Sequence, residues 1–237
     1  MNKLSNASAP TRALILALLA TVSAILSNFT GYNYNNVLWV QLLKTPLPPG
    51  IYGDPLPGIP LLPPGIPLLP GLYFGMVLSL AVWFWVSQSA WKIITVLLST
   101  VIAWLAANFT AEYAFVAIQQ MLEEIAAPGK PPMINLPPMI NFTLAVAGVI
   151  GGLVGSTILT FALSLVCKEF GAFENWARIV MPGTALGVLL ELITKDDKGP
   201  LDNGSTLPLF LVWQVTVAAI IGYCIVPRIG EGKLAPH

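Results

Sequence analysis

The sequence predicts an all-α protein: a polytopic bundle of about six transmembrane helices, with long proline-rich loops gathered on one side. Three observations carry that expectation. The chain is 56% hydrophobic and only 9% charged, where soluble proteins average about 25% charged. Its mean hydropathy is +0.77, so a water-soluble domain would have too little polar surface to stay dispersed. Finally, Asn141 to Val166 runs without charge or proline, which is enough helix to cross about 30 Å of hydrocarbon with some tilt.

That run, NFTLAVAGVIGGLVGSTILTFALSLV, is the helix the others are expected to pack against. Gly148, Gly151, Gly152 and Gly155 give two overlapping GxxxG spacings. Small residues four apart share one helix face and admit another backbone closely. A pore or gating role for the same glycines is the alternative to packing.

Met1 to Arg12 is polar. Residues 13–28 are apolar and follow Arg12. They form either a first span or a secretory signal, since a basic n-region, a Leu/Ala core and small residues at Val22-Ser23-Ala24 fit both. A cleaved signal would leave five spans. Residues 30–70 are rich in proline and glycine yet apolar, with GIPLLPP at Gly58–Pro64 repeated as GIPLLPG at Gly65–Gly71. Proline removes an N–H and fixes φ, so polyproline II broken by turns is expected. Leu61, Leu62, Leu68 and Leu69 argue against a solvated linker and for contact with lipid, the protein's own face or a partner.

Residues 72–88 and 91–107 form the next two spans, with Trp83, Trp85 and Trp91 suited to the headgroup region. From Ser89 to Ala127 there is no glycine or proline. One helix over that length measures about 58 Å. Its second half, 111–127, is amphipathic: Ala114, Phe115, Ile118, Met121, Leu122 and Ile125 oppose Glu112, Gln119, Gln120, Glu123 and Glu124. It either projects from the membrane or bends to lie on it. Pro128 to Asn141 is expected to stop it, with PPMIN at Pro131–Asn135 repeated at Pro137–Asn141. The glycine-rich span 142–166 follows. Residues 173–193 make the fifth span, where Pro182 predicts a kink and Gly183 and Gly187 give a third GxxxG spacing. Lys195 to Thr206 is fully hydrophilic, and residues 207–226 are the last span. Residues 1–237 thus read as one integral membrane domain.

With the N-terminus inside, Lys3, Arg12, Lys92, Lys168, Arg178, Arg228 and Lys233 lie inside, against Lys44, Lys130, Lys195 and Lys198 outside. The excess predicts both termini cytoplasmic in a bacterial-type inner or related membrane. Four Asn-x-Ser/Thr matches, at Asn28, Asn108, Asn141 and Asn203, map outside, but three hug the membrane boundary and read as chance.

The chemistry is sparse. The one histidine is His237, which removes histidine-based haem, zinc and triad chemistry from the membrane. There is no P-loop, Rossmann fingerprint or CxxC. Ser156 after Gly155 resembles a nucleophile fragment without a base. Asp196, Asp197 and Asp202 match no calcium loop. Cys167 and Cys224 share no metal spacing, and a reducing compartment argues against a disulfide between them. Two intramembrane polar residues remain. Glu191 is either an ion or proton site or a boundary acid paired with Lys195. Gln214 either bonds across helices or lines a pathway. No cofactor is implied, and zero net charge without a basic block gives no nucleic-acid footprint.

The expectation is therefore a non-enzymatic accessory, assembly or scaffold subunit. Its partners would be the bilayer plus another protein or further copies of itself, met through glycine-rich helices and the outer proline-rich loops. A small-solute or ion transporter using Glu191 and the kinked fifth span is the alternative. Transporter repeats would make the two halves match, but a connection of about 40 residues after the first span and a short one after the fourth do not correspond.

Overall fold

A computed structural model describes residues 7–33, 68–125, 137–189 and 207–226, and among them every regular element is helical. The helices are α1 (Ala9–Asn33), α2 (Leu68–Ala81), α3 (Ala90–Ile125), α4 (Pro137–Val166), α5 (Phe173–Leu186) and α6 (Leu207–Cys224). A π-helical turn at Val82–Val86 ends α2, where the Ser87 N–H reaches the Val82 carbonyl at 2.8 Å. A 3-10 turn at Lys168–Gly171 links α4 to α5, and another at Gly187–Leu189 ends α5.

Among the described residues the prolines mostly mark helix starts. Pro10, Pro70, Pro137, Pro138 and Pro208 all fall in first turns. The first N–H groups of a helix have no intrahelical partner, so proline costs nothing there. Two expectations are corrected on this ground. Leu68, Leu69 and Pro70 belong to α2 rather than to the loop 30–70, and the second PPMIN copy, Pro137–Asn141, opens α4 instead of separating it from α3. At the other end of that loop, Thr30 to Asn33 continue α1. Of the amphipathic segment 111–127, residues 111–125 continue α3, which is one unbroken helix to Ile125.

Each helix packs on its neighbours in sequence, and α1 packs on α6, closing a ring. The registers are antiparallel throughout. Gly71 lies against Trp104 and the Ser79 hydroxyl donates to the Ile93 carbonyl at 3.1 Å, fixing α2 on α3. Lys92 reaches the Val166 carbonyl at 3.0 Å, while Gly151 meets Ala107 and Ala111, fixing α3 on α4. Residues 7 and 226 therefore lie at the same end. Among the described residues the basic side chains, Arg12, Lys92, Lys168 and Arg178, all lie at or near that end too.

The interior of the ring is filled. Leu16, Phe74, Leu78, Leu159, Leu163, Phe170, Ile179, Val217 and Ile221 are all buried in one cluster. Phe74 tilts against Trp213 with ring centroids 5.5 Å apart, and Trp104 against Phe210 at 5.4 Å, the offset geometry aromatic quadrupoles favour. The outside is also apolar. On α1, Leu14, Leu18, Val22 and Phe29 are exposed while Leu16, Ala20 and Ala24 are buried. Such a surface suits hydrocarbon, not water. Four helical stretches are long and apolar enough to cross a membrane: Ala9–Phe29, Leu68–Val86, Ala90–Phe115 and Phe142–Val166. The apolar stretch of α6, Leu209–Cys224, is shorter, and α5 carries Glu174 and Arg178 in its first turns.

Candidate functional site

The glycines of α4 divide between two neighbours. A Cβ on Gly151 would stand 2.6 Å from the Ala107 carbonyl, and one on Gly155 would stand 2.8 Å from Ala107 Cβ. Both face α3, whose own small residues Ala103, Ala107 and Ala111 recur every four positions. A Cβ on Gly152 would stand 2.5 Å from the Gly183 carbonyl, and any Cβ on Gly187 would run into the carbonyl of Gly148. These face α5. Across the same seam, Gly183 lies under Ser156 Cβ. The offset of three residues between the two GxxxG pairs turns their faces about 60° apart, so α4 sits as a wedge between α3 and α5. Backbones this close gain dispersion and lose no side-chain entropy.

A similar seam escaped the sequence reading. Gly71 and Gly75 on α2 lie against Trp104 Cβ and Leu97 of α3. Their spacing of four is visible in the sequence, but Gly71 also ends the repeat GIPLLPG, which reads as loop. The signal would have been found by asking whether a helix could start before it.

Polar contacts join α1 to α6 inside the apolar bundle. Gln214 is 1% exposed. Its Oε1 accepts from the Ser23 hydroxyl at 2.8 Å, and its Nε2 donates to Ser27 Oγ at 3.4 Å. Gln214 thus bonds across helices. Arg12, 5% exposed, donates from Nε to the Gly222 carbonyl at 3.3 Å, from Nη2 to the Ile225 carbonyl at 2.5 Å, and from Nη1 to Ala7. Carbonyls at a helix C-terminus lack intrahelical donors and carry partial negative charge, so a guanidinium there satisfies both needs. In the sequence Arg12 reads as an orientation marker and as part of a basic n-region, not as a link between helices. Two of its three partners lie 210 and 213 residues away, and no local pattern points to them.

Further contacts satisfy carbonyls at or near the ends of α4 and α5. Lys92 meets the Val166 carbonyl at the end of α4. The Gly187 N–H turns back to the Thr184 carbonyl as α5 tightens to a 3-10 turn, and the Gly183 carbonyl accepts from Trp213 Nε1 of α6 at 3.2 Å. Helix α5 continues through Pro182.

Beside Lys92, the buried Cys167 thiol donates to Glu169 Oε2 at 2.7 Å. Burial, then that bond, pushes the thiol up to about 12. The same bond holds the Glu169 carboxyl below its usual range. Cys224 is also buried, and both cysteines are free. The Ser156 hydroxyl is taken by the Gly152 carbonyl at 2.5 Å. The Asn108 amide donates to the Trp104 carbonyl of its own helix at 2.7 Å. Among the described residues no three His, Cys, Asp or Glu side chains gather as a metal site would require.

Glu191, Lys195, the acidic loop with Asp196, Asp197 and Asp202, the GIPLLPP repeat and the first PPMIN copy lie outside the described residues. Searches against family models, curated proteins and solved structures match nothing to this chain.

Proposed function

We propose that this chain is a multi-pass membrane protein that acts as an accessory, assembly or scaffold subunit of a membrane complex. In this reading all six helices cross the bilayer, both termini are cytoplasmic, and the proline-rich segments lie outside. The observation that carries it is the α3–α4 hairpin. Helix α3 spans 36 residues, about 54 Å, where the hydrocarbon takes about 30 Å. The antiparallel register set by Lys92–Val166 and Gly151–Ala111 brings its far end beside the first turn of α4. A rigid two-helix stalk thus stands beyond the membrane, opposite the basic end. Tyr113, 79% exposed, stands at the outer end of the apolar stretch Ala90–Phe115, and Met121, 61% exposed, lies beyond it, where water would be the solvent and a partner's apolar surface is the better neighbour.

The transporter reading has less support. Among the described residues the ring interior is closed by side chains from α1, α2, α4 and α6. The test is purification of the tagged protein in mild detergent, followed by native mass measurement. A second chain at fixed stoichiometry, lost when Tyr113 and Met121 are both changed to Glu, is the expected result. A lone species whose wild-type form carries solute or ion flux in proteoliposomes, abolished by Glu191→Gln, would replace this reading with the alternative.

A further inference from the structure

At the basic end, α1, α5 and α6 leave an open groove of about 770 Å³ between them. Alanines make it: Ala13, Ala177 and Ala219 recede where larger residues would close the gap. Its deeper wall is Pro182. At the rim stand Arg178 and Tyr223, about one helical turn nearer the end of the bundle. The walls are almost wholly apolar, and the rim carries one cation and one phenol.

We propose that this groove holds an anionic phospholipid, with its phosphate on Arg178 and its first acyl methylenes against Ala177, Pro182 and Ala219. Three observations fix the chemistry. First, Arg178 is under-used by its own chain. Its ion pair with Glu174 spans 3.9 Å between exposed groups, its bond to Asn175 Oδ1 is 3.4 Å, and it also reaches the Cys224 thiol, a weak acceptor. A phosphodiester would offer two short, charge-assisted bonds to the guanidinium fork. Second, the level is right. Arg12, Lys92, Lys168 and Arg178 gather at this end, and a tyrosine at the same height suits the headgroup layer. Third, the groove is open and its walls are apolar; with these helices in the membrane, as proposed above, lipid is its neighbour, and free phosphate has no chain to fill apolar walls. The bound lipid would bridge α5 and α6, which also pack directly on each other and share the bond from Trp213 to the Gly183 carbonyl.

The test is native mass spectrometry of the detergent-solubilised protein, titrated with phosphatidylglycerol or phosphatidylcholine of identical acyl chains. Wild type should retain one phosphatidylglycerol per protomer and prefer it about tenfold. Arg178→Gln should erase the preference, Arg178→Lys should keep part of it, and Ala177→Trp should block retention of both lipids. Inorganic phosphate should not compete. Unchanged wild-type thermal unfolding in Arg178→Gln shows that the variant is folded. Equal retention of both lipids by wild type, an undiminished preference in folded Arg178→Gln, or a second copy of the chain cross-linked through Ala177 in place of lipid would each overturn the assignment.

Discussion

The guanidinium of Arg12 holds the carbonyl of Ile225 at 2.5 Å across 213 positions of sequence. One side chain thereby closes the ring of helices at its two ends. Desolvating a cation is costly, and here three backbone carbonyls replace the lost water.

Arg12→Met should therefore weaken the protein while leaving it membrane-inserted. Losing charge-assisted bonds costs about 2–3 kcal/mol, and the thermal midpoint in detergent should fall by several degrees. Arg12→Lys should recover part of the loss, since an ammonium reaches fewer carbonyls at once. Intact mass of the purified chain should include residues 1–24. A mature form beginning after Ala24 would remove Arg12 from the ring, and this account with it.

Gly152→Leu should be among the most damaging substitutions on α4. Its first side-chain atom would stand 2.5 Å from a backbone carbonyl of α5, and backbone cannot swing aside as a side-chain end can. The helices must separate, which costs about 2–4 kcal/mol in lost contact. Gly171→Ala is the internal control, since a Cβ there meets nothing within 4 Å. Cross-linking between cysteines placed at Leu153 and Thr184 would read the separation directly. Equal stability of the two variants would mean the α4–α5 seam contributes nothing.

How much of this was readable in the sequence depends on the range of each cause. Apolar runs without charge gave the positions of the helices, because burial in lipid demands that composition all along a span. The glycines of α4 stand out by their spacing, but which neighbour each one lies against, α3 or α5, is set by register and not by that spacing. Helix starts were misjudged wherever proline was taken as a breaker, at Leu68 and Pro137, because a first turn accepts what a middle turn rejects. Gln214 was left between two roles. Choosing between them needs to know that Ser23 and Ser27 sit across from it, and that is a fact of register between distant helices. Arg12 and the groove at Arg178 depend in the same way on which helices close the ring, and no window of sequence contains that.

Gln214→Leu should cost more than the loss of its own bonds, because Ser23 is buried and would keep a hydroxyl without an acceptor. The expected loss is about 1–2 kcal/mol. The triple variant Ser23→Ala, Ser27→Ala, Gln214→Leu should recover most of it, since an apolar seam leaves no polar group stranded. A double-mutant cycle between Ser23→Ala and Gln214→Leu measures the coupling. Additive effects would show the cluster to be incidental to α1–α6 packing.

The Cys167 thiol gives a prediction in pH. Its ordinary value is 9.0, and burial with the Glu169 carboxylate pushes it up to about 12. A raised value favours the neutral form in the folded state. The stabilising contribution is whole below pH 9 and is lost as pH climbs from 9 toward about 12, where the unfolded thiol ionises and the folded one does not. The thiolate is the reactive form, so maleimide or iodoacetamide at pH 9 should modify folded Cys167 at least about tenfold slower than the same residue in denaturant. In Glu169→Gln the carboxylate that disfavours the thiolate is gone, and the alkylation rate should rise while burial still keeps it below that of a free thiol. A native rate at pH 9 equal to the denatured one would mean that the turn after α4 opens freely and that the Cys167–Glu169 bond does not hold it.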